Sequence, residues 1–292
     1  MSELWPHIAA RIGELTGRAF SPDTPRHLGG GCINTALRLS DGTQSWFVKT
    51  NDADRLEMFE AEAAGLNAMA DTNTIRVPRA LCTGTHGRNA YIVMQYIEPG
   101  ARGRRFQALA GKRLAAMHRH TAERFGWERD NTIGATHQAN AWREDWISFW
   151  REQRLGFQLE LVGRHGYTGL QRHGERLLDR FQVLIDHDPL PSLLHGDLWG
   201  GNISYDNTGE PVIFDPAVYY GDREADLAMT ELFGGFGDDF YAAYKDAWPL
   251  DAGYTTRKTL YNLYHILNHT SLFGGGYAGQ AQGMIERLLA AC

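Results

Sequence analysis

The sequence predicts an α+β fold in two parts: an N-terminal antiparallel sheet with one helix, and a larger, mainly helical C-terminal part. Short apolar runs rich in β-branched and aromatic residues occur in the first hundred residues. Apolar residues at helical spacing fill most of the remainder. A turn signal, Glu98-Pro99-Gly100, separates the two patterns. We therefore expect an N-terminal lobe at 1–97 and a C-terminal lobe at 98–292.

The N-terminal part alternates extended and helical patterns. A glycine-rich turn lies between two short extended pieces within 28–39, and the run SWFVK at 45–49 predicts a strand. Apolar residues at 56, 59, 63, 66 and 70 recur at helical spacing, so a helix is expected over 55–70. The run YIVM at 91–94 predicts another strand.

The C-terminal part contains helical patterns at 105–120, 142–163, 170–186, 223–233 and 260–273. Two short apolar runs, at 193–195 and 211–215, interrupt the helices. Each run ends in polar residues, which is how a strand delivers side chains to a site. These two runs therefore mark the candidate site.

Composition excludes several classes of function. The chain has 292 residues, is 43% hydrophobic and 22% charged, and carries a formal net charge of -6. Sequence-independent nucleic-acid binding needs a basic surface, so no nucleic-acid partner is expected. No apolar run is long enough to span a membrane and no signal-peptide pattern is present, so we expect no membrane association. The three cysteines lack metal-type spacing, and a cytoplasmic location is expected.

The strongest chemical signal is HGDLWGGN at 195–202, followed thirteen residues after Asn202 by Asp215. Phosphoryl transfer needs a carboxylate that orients a hydroxyl and accepts its proton, and oxygen ligands for Mg²⁺. Asp197 supplies the first, and Asn202 and Asp215 supply the second, as in the H-x-D-x-x-x-x-N loop and metal-binding Asp of kinases. Each residue alone would suit a turn or helix cap, and it is their joint spacing that favours catalysis.

A second signal lies upstream. Glycines at 29–31, followed by Cys32, Ile33 and Asn34, would let the backbone approach nucleotide phosphates, although a hairpin turn explains them equally well. Lys49 ends the next strand and could reach the α- and β-phosphates. Periodicity leaves open whether Glu60 or Glu62 of the following helix would pair with it. The order of these features matches that of kinases, which strengthens each one.

The loop differs from that of protein kinases in reading His-Gly-Asp and in having Pro216 after Asp215. The segment 195–236 instead resembles the fructosamine kinase family, the ketosamine-3-kinases. The resemblance includes GGGCINTA at 29–36, FVKTN at 47–51, FGWERDNTIGATHQAN at 125–140, WREDWISFW at 142–150 and LYNLYHILNH at 260–269. It covers nearly the whole chain.

The resemblance implies a bilobal protein-kinase-like fold related to aminoglycoside phosphotransferases, with ATP and Mg²⁺ as cofactors. It implies phosphorylation of the 3-hydroxyl of a ketosamine, whose unstable product releases the amine, so that the reaction is a deglycation. Matching positions give the expected roles. Asp197 is the base, Glu62 is the partner of the phosphate-binding Lys49, and Asn202 and Asp215 are metal ligands. The glycine-loop residues expected to contact the nucleotide are Gly30, Gly31, Cys32 and Asn34. The hinge expected to contact adenine through its backbone is Gln95, Tyr96 and Ile97.

Trp199 lies two residues after the expected base, where its ring could stack on the sugar or on a cationic amine. Packing within the loop is the alternative. Trp142, Trp146 and Trp150 recur every four residues, for which core packing is the favoured explanation. His118 and His269 lie on apolar helix stripes and are expected to be core histidines with hydrogen-bond partners.

Several properties stay open on the sequence alone. The substrate could be a small-molecule or a protein-attached ketosamine, and its sugar is not specified; the chain is expected to be a monomer or a weak homodimer. Rival functions are a kinase for an aminoglycoside or a choline-like alcohol, and a non-catalytic nucleotide-binding regulatory module. Cys32 is a hypothetical redox switch on grounds of position alone.

Overall fold

The computed structural model describes residues 3–29, 33–100 and 106–292. An antiparallel five-stranded sheet has the strand order β1-β2-β3-β5-β4. Its strands are β1 (Arg26–His27), β2 (Thr35–Ser40), β3 (Ser45–Asp52), β4 (Ala80–His86) and β5 (Asn89–Gln95). Helix α1 (Leu4–Thr16) precedes the sheet, and α2 (Leu56–Asp71) connects β3 to β4. This arrangement is the α+β pattern expected for the first part of the chain.

The two faces of the sheet are covered by different helices. On β5, Tyr91 and Val93 join the apolar cluster of α1, whereas Ile92 and Met94 join the main core with α2. Side chains alternate between the faces of a strand, so neighbouring residues serve different cores. Lys49 follows the buried Val48 on β3, and this alternation turns it toward α2.

The C-terminal region is mainly helical. Its helices are α3 (Phe106–His118), α4 (Trp146–Phe149), α5 (Phe157–Arg164), α6 (Thr168–Leu178), α7 (Glu224–Leu232), α8 (Asp238–Ala247), α9 (Tyr254–Phe273) and α10 (Gly276–Ala291). A π-helical stretch, Trp150–Gly156, joins α4 to α5. Helix α3 packs on α8, and α9 packs on α7 and α10. No helix in the described part of the chain is long and apolar enough to cross a membrane.

Three two-stranded ribbons lie among these helices. They pair β6 (Asn131–Ile133) with β7 (Thr136–Gln138), β8 (Ser192–Leu194) with β11 (Tyr219–Gly221), and β9 (Ile203–Tyr205) with β10 (Pro211–Ile213). All three are antiparallel. The loop from β8 to β9 carries 195–202, and β10 ends two residues before Asp215. The two apolar runs therefore deliver polar residues to one place, as expected.

Several boundaries differ from expectation. The helix expected over 170–186 stops at Leu178 and is followed by a separate 3₁₀ turn, Phe181–Leu184. The helix expected from 142 begins only at Trp146, because Asp145 caps it by accepting a hydrogen bond from the Ser148 amide. Helices α1, α8 and α10 are not among the helices expected from the sequence. Tertiary packing on the core stabilises such helices.

Candidate functional site

An ion-pair cluster joins the sheet, helix α2 and the end of β10. The Lys49 ammonium lies 2.6 Å from Glu62 Oε1 and 2.5 Å from Asp215 Oδ1, although Asp215 is 166 residues away in sequence. Burial lowers the pKa of Lys49, but the charges of Glu62 and Asp215 outweigh it and raise that pKa. Lys49 is therefore a fixed positive charge that positions two carboxylates.

Geometry decides between the two glutamates that the sequence left open. Glu62 contacts Lys49, whereas Glu60 lies 3.3 Å from the Arg129 guanidinium on the other side of the helix stripe. The two residues are two positions apart on α2, so their side chains point about 200° apart around the helix axis. Only Glu62 can reach the strand lysine.

The loop between β8 and β9 holds Asp197 and Asn202 together. The Asn202 Nδ2 donates to the Asp197 backbone oxygen at 2.9 Å and lies 3.3 Å from an oxygen of the Asp197 carboxylate. It also lies 3.4 Å from the Asp215 backbone oxygen. The Phe214 amide donates to the Asn202 carbonyl at 3.1 Å. These bonds connect the Asp197 loop with the Asp215 segment and place the three predicted residues at one site.

Asp197 has a pKa that is shifted close to neutrality. Burial, followed by the negative charge of Asp215, raises the pKa of Asp197 to about 7, against a lowering from the Asn202 hydrogen bond. A carboxylate with a pKa near neutrality is a stronger base than an ordinary aspartate and is still ionised in a substantial fraction at pH 7. This arrangement can accept a proton from a hydroxyl group.

The structure also identifies residues that position Asp197. The Asp226 carboxylate accepts hydrogen bonds from the backbone amides of His195 at 2.7 Å and Gly196 at 2.8 Å, and it lies 3.1 Å from His118 Nε2. Gly196 has φ 80°, a left-handed conformation that glycine adopts readily. The Asp226 carboxylate on α7 thus fixes the backbone of the loop that carries Asp197.

His195 completes this support. Burial is the main cause that lowers its pKa, so the ring is neutral. Its Nε2–H donates to the Phe214 carbonyl at 2.9 Å, which leaves Nδ1 to accept from the Asp197 amide at 3.3 Å. Sequence reasoning assigned no role to Asp226. A signal was present, because an aspartate on the buried face of an apolar helix needs partners.

The remaining predicted residues belong to the segment before β2, the end of β5 and the loop after β8. Asn34 Oδ1 accepts from Asn51 Nδ2 at 2.7 Å at the start of β2, while Gly30, Gly31 and Cys32 lie outside the described residues. At the end of β5, the Gln95 backbone amide donates to the Arg79 carbonyl at 2.9 Å. The next residue, Tyr96, has its ring centre 4.4 Å from the Arg38 guanidinium, and Ile97 is half-buried. Trp199 is 40% exposed beside Asp197.

The other aromatic and histidine residues pack mainly as expected. Trp146 and Trp150 are buried in the core, whereas Trp142 precedes the helix and stacks on Tyr220 with ring centres 6.1 Å apart. His118 is buried, with its Nδ1 2.7 Å from the Tyr244 hydroxyl. His269 donates from Nδ1 to the His265 carbonyl at 2.7 Å but is only partly buried.

Comparison with known proteins finds relatives over nearly the whole chain. The family model described as fructosamine kinase matches residues 4–291. A probable ketoamine kinase of Synechocystis is 49% identical over 287 residues, covering 98% of this chain and 97% of the relative. A chloroplastic protein-ribulosamine 3-kinase of Arabidopsis thaliana is 47% identical over 270 residues, covering 90% and 81% respectively.

Solved structures extend the similarity to the fold. A Haemophilus somnus protein assigned to the fructosamine-3-kinases superposes with a TM-score of 0.89 at 29% identity, covering 98% of this chain and 97% of that one. The aminoglycoside phosphotransferase APH(4)-Ia, in a complex with ADP and hygromycin B, superposes with a TM-score of 0.58 at 15% identity, covering 97% and 98%. The fold is therefore that of kinase-like phosphotransferases. Within that class, this chain belongs to the fructosamine kinase family.

Proposed function

We propose that this protein is an ATP-dependent kinase that phosphorylates the 3-hydroxyl of ketosamines, on small molecules or attached to protein, as a deglycation step in the cytoplasm. The observation that carries the proposal is the Lys49–Asp215 ion pair beside Asp197 and Asn202. It brings a cation, a candidate base and two candidate oxygen ligands for a metal to one site. The ketoamine and ribulosamine 3-kinases to which the chain is 41–49% identical support the substrate class.

In the proposed mechanism, Asp197 accepts the proton of the attacking hydroxyl group. Its neighbours hold it in place: His195 and Asp226 fix the loop backbone, and Asn202 donates to the Asp197 main chain. A carboxylate so constrained loses little orientation freedom before the reaction. Lys49, held by Glu62, would contact the nucleotide phosphates, and Trp199 would contact the sugar or its amine.

The residues at the proposed metal site fit Mg²⁺. Asn202 directs its amide nitrogen at Asp197, so its carbonyl oxygen is the atom that it can offer a cation. Asp215 uses Oδ1 for Lys49, and its side chain is 44% exposed, which leaves carboxylate oxygen accessible. Mg²⁺ prefers a few protein oxygens together with phosphate and water. When bound there, the metal would offset charge that develops on the phosphates.

Nucleotide binding by the rest of the cleft is also part of the proposal. The backbone of Gln95, Tyr96 and Ile97 would meet adenine, and the glycine loop with Asn34 would cover the phosphates. A division into lobes at residues 97 and 98 remains a prediction, as does a monomeric or weakly dimeric state.

The test is Mg²⁺-dependent ADP release with a ribulosamine, a fructosamine, an aminoglycoside and choline. The proteins are the parent, Asp197→Asn, and the matched control Asp54→Asn, whose carboxylate is 79% exposed. Turnover is expected on the ketosamines. Loss of the base should lower kcat by about 10²–10⁴-fold in Asp197→Asn, with the control behaving like the parent.

The other outcomes separate the alternatives. Turnover on the aminoglycoside or on choline alone would keep the reaction class and reject the ketosamine. ATP binding without turnover on any of the four acceptors would instead favour a regulatory module. Full activity of Asp197→Asn would reject the assignment of the base.

A further inference from the structure

A row of aromatic side chains runs along the surface from the catalytic loop. The ring of Trp199 meets Phe233 edge-to-face at 6.3 Å, and Phe233 lies 5.1 Å from His269. His269 in turn lies 5.4 Å from Phe273 and 5.1 Å from Tyr277. These five residues, here called the aromatic row, connect the loop after β8 with the ends of α7 and α9 and the start of α10.

The row is unusually open to solvent. Trp199 and Phe233 are each 40% exposed and Phe273 is 63% exposed, and the adjoining Leu272 is 37% exposed. Single exposed apolar residues are ordinary, but contiguous exposed apolar surface marks sites of interaction. The core of the C-terminal region buries comparable side chains, such as Trp150 and Phe149, almost completely. The open row is therefore a candidate binding surface.

Close backbone packing ties the row to the catalytic loop. A Cβ at Gly201 would lie 2.3 Å from the Trp199 ring, so the indole rests directly on this glycine. A Cβ at Gly200 would lie 2.7 Å from the Gly234 carbonyl, next to Phe233. Such contacts leave no room for a side chain and hold the first two rings of the row at a set position relative to Asp197.

We propose that the aromatic row binds the polypeptide on one side of a lysine that carries the ketosamine. This inference rests on the proposed function: the sugar hydroxyl must reach Asp197, so the amine and its carrier must leave the site next to it. Trp199, two residues from the base, is the first surface available to the carrier. A lysine side chain has an apolar four-carbon stem that covers aromatic surface well, and the peptide beyond it continues along Phe233 and Phe273.

The spacing of the row suits an extended peptide. From Trp199 through Phe233 and His269 to Phe273, successive ring centres lie 5.1–6.3 Å apart, and side chains on one face of an extended chain recur about every 6.6 Å. A free amino acid would be too short to reach Phe273. The far end of the row would therefore distinguish polypeptide substrates from small ones and act in specificity rather than in catalysis.

The experiment compares two ribulosamine substrates: the adduct of free lysine, and the same adduct within an unstructured peptide of several residues on each side. KM and kcat are measured for the parent, for Phe273→Ser, and for Val183→Ser. Val183 is a matched control because it is 59% exposed on a different element, the 3₁₀ turn after α6. Thermal unfolding and sedimentation of each protein accompany the kinetics.

Phe273→Ser is expected to raise the ratio of peptide KM to free-lysine KM by about tenfold, the size of a lost aromatic contact. Val183→Ser should leave that ratio as in the parent. An unchanged ratio in Phe273→Ser would overturn the proposal. So would a parent dimer that Phe273→Ser converts to monomer, because the row would then be an interface between copies of this chain. Absence of turnover by the parent on both substrates would instead reject the proposed function, and this inference with it.

Discussion

Two buried charge clusters in this protein have similar composition and different consequences. The cleft cluster consists of Lys49, Glu62 and Asp215. The closed cluster consists of Arg257 and Tyr261 of α9 together with Glu224, Asp222 and His187, and Asp186, 55% exposed, contacts Arg257 at its edge. Both contain several carboxylates around a basic side chain. In the cleft cluster Asp215 is 44% exposed, whereas Arg257 and Glu224 are 0% and 1% exposed.

The difference lies in how fully the carboxylate oxygens are used. Arg257 donates to both oxygens of Glu224, at 2.7 and 3.0 Å. Asp222 accepts from the Tyr261 hydroxyl and the Glu224 amide and lies 2.8 Å from His187 Nε2. His187, Asp222 and Glu224 lie close enough together to suggest a metal site. The carboxylate oxygens of Asp222 and Glu224 already accept hydrogen bonds within the cluster. Saturated charges support the fold, and a carboxylate left open toward a cleft is available for chemistry.

The largest expected effect is on activity, in the cleft cluster. Asp215→Asn keeps the shape of the side chain and suits its φ of 57°, because asparagine tolerates the left-handed region. It removes the charge proposed to hold the metal. We expect kcat to fall at least about a hundredfold, with the free energy of unfolding changed by less than about 1 kcal/mol. Kinetics and urea unfolding of the same preparation measure the two quantities.

The next effect is on stability, in the closed cluster. Glu224→Gln breaks a buried bidentate pair and leaves the Arg257 charge without its main partner, which should cost about 3 kcal/mol or more of unfolding free energy. The kcat of the molecules that remain folded should match that of the parent. If Glu224→Gln lowered kcat as Asp215→Asn does, while leaving stability intact, the distinction between the two clusters would fail.

The smallest effect is a pH dependence within the closed cluster. Burial lowers the pKa of His187, but the hydrogen bond and charge of Asp222 outweigh it, so the net shift raises that pKa. The stabilisation is fully present below the ordinary histidine pKa of about 6.5 and is lost as pH rises through the folded value. His187→Gln should therefore be less stable than the parent at about pH 5.5, and the gap should narrow at about pH 8.5.

Urea unfolding at the two pH values measures this gap. Asp188→Asn, which changes an exposed residue of a pocket that His187 and Asp222 also line, is the control. A gap that widened with pH would mean that His187 is not stabilised by the charge of Asp222.

Much of the candidate site could be predicted from local sequence. Asp197, Asn202 and Asp215 stand at short, defined separations after strand-forming runs, so their neighbourhood follows from local geometry. Lys49 also falls in a strand-forming run, although β3 continues to Asp52 and Lys49 lies inside the strand, not at its end as expected. The choice of Glu62 over Glu60 was different, because both flank the apolar stripe of α2. It depended on which face of the helix meets β3.

The supporting residues were harder to predict. Asp226 and His118 are 108 residues apart and meet only because the C-terminal end of α3 comes to α7 in the folded chain. Arg257 and Glu224, 33 residues apart, meet when α9 packs on α7. Periodicity marks the buried face of a helix but not the element that covers it. Trp142 shows that regular spacing can also mislead. Its spacing from Trp146 predicted that both lie on one helix, but Asp145 caps the helix and Trp142 lies before it.

Residue type and short spacing dictate local structure and the available functional groups. The sequence therefore predicts the α+β class, the order of the kinase-like features and the functional groups of the candidate site. The tertiary structure alone decided which buried charges are saturated and which face the cleft. It also decided that Trp199, Phe233, His269 and Phe273 form one exposed row. Both outcomes depend on contacts between residues distant in the chain, and these are set by the packing of whole elements on a shared core.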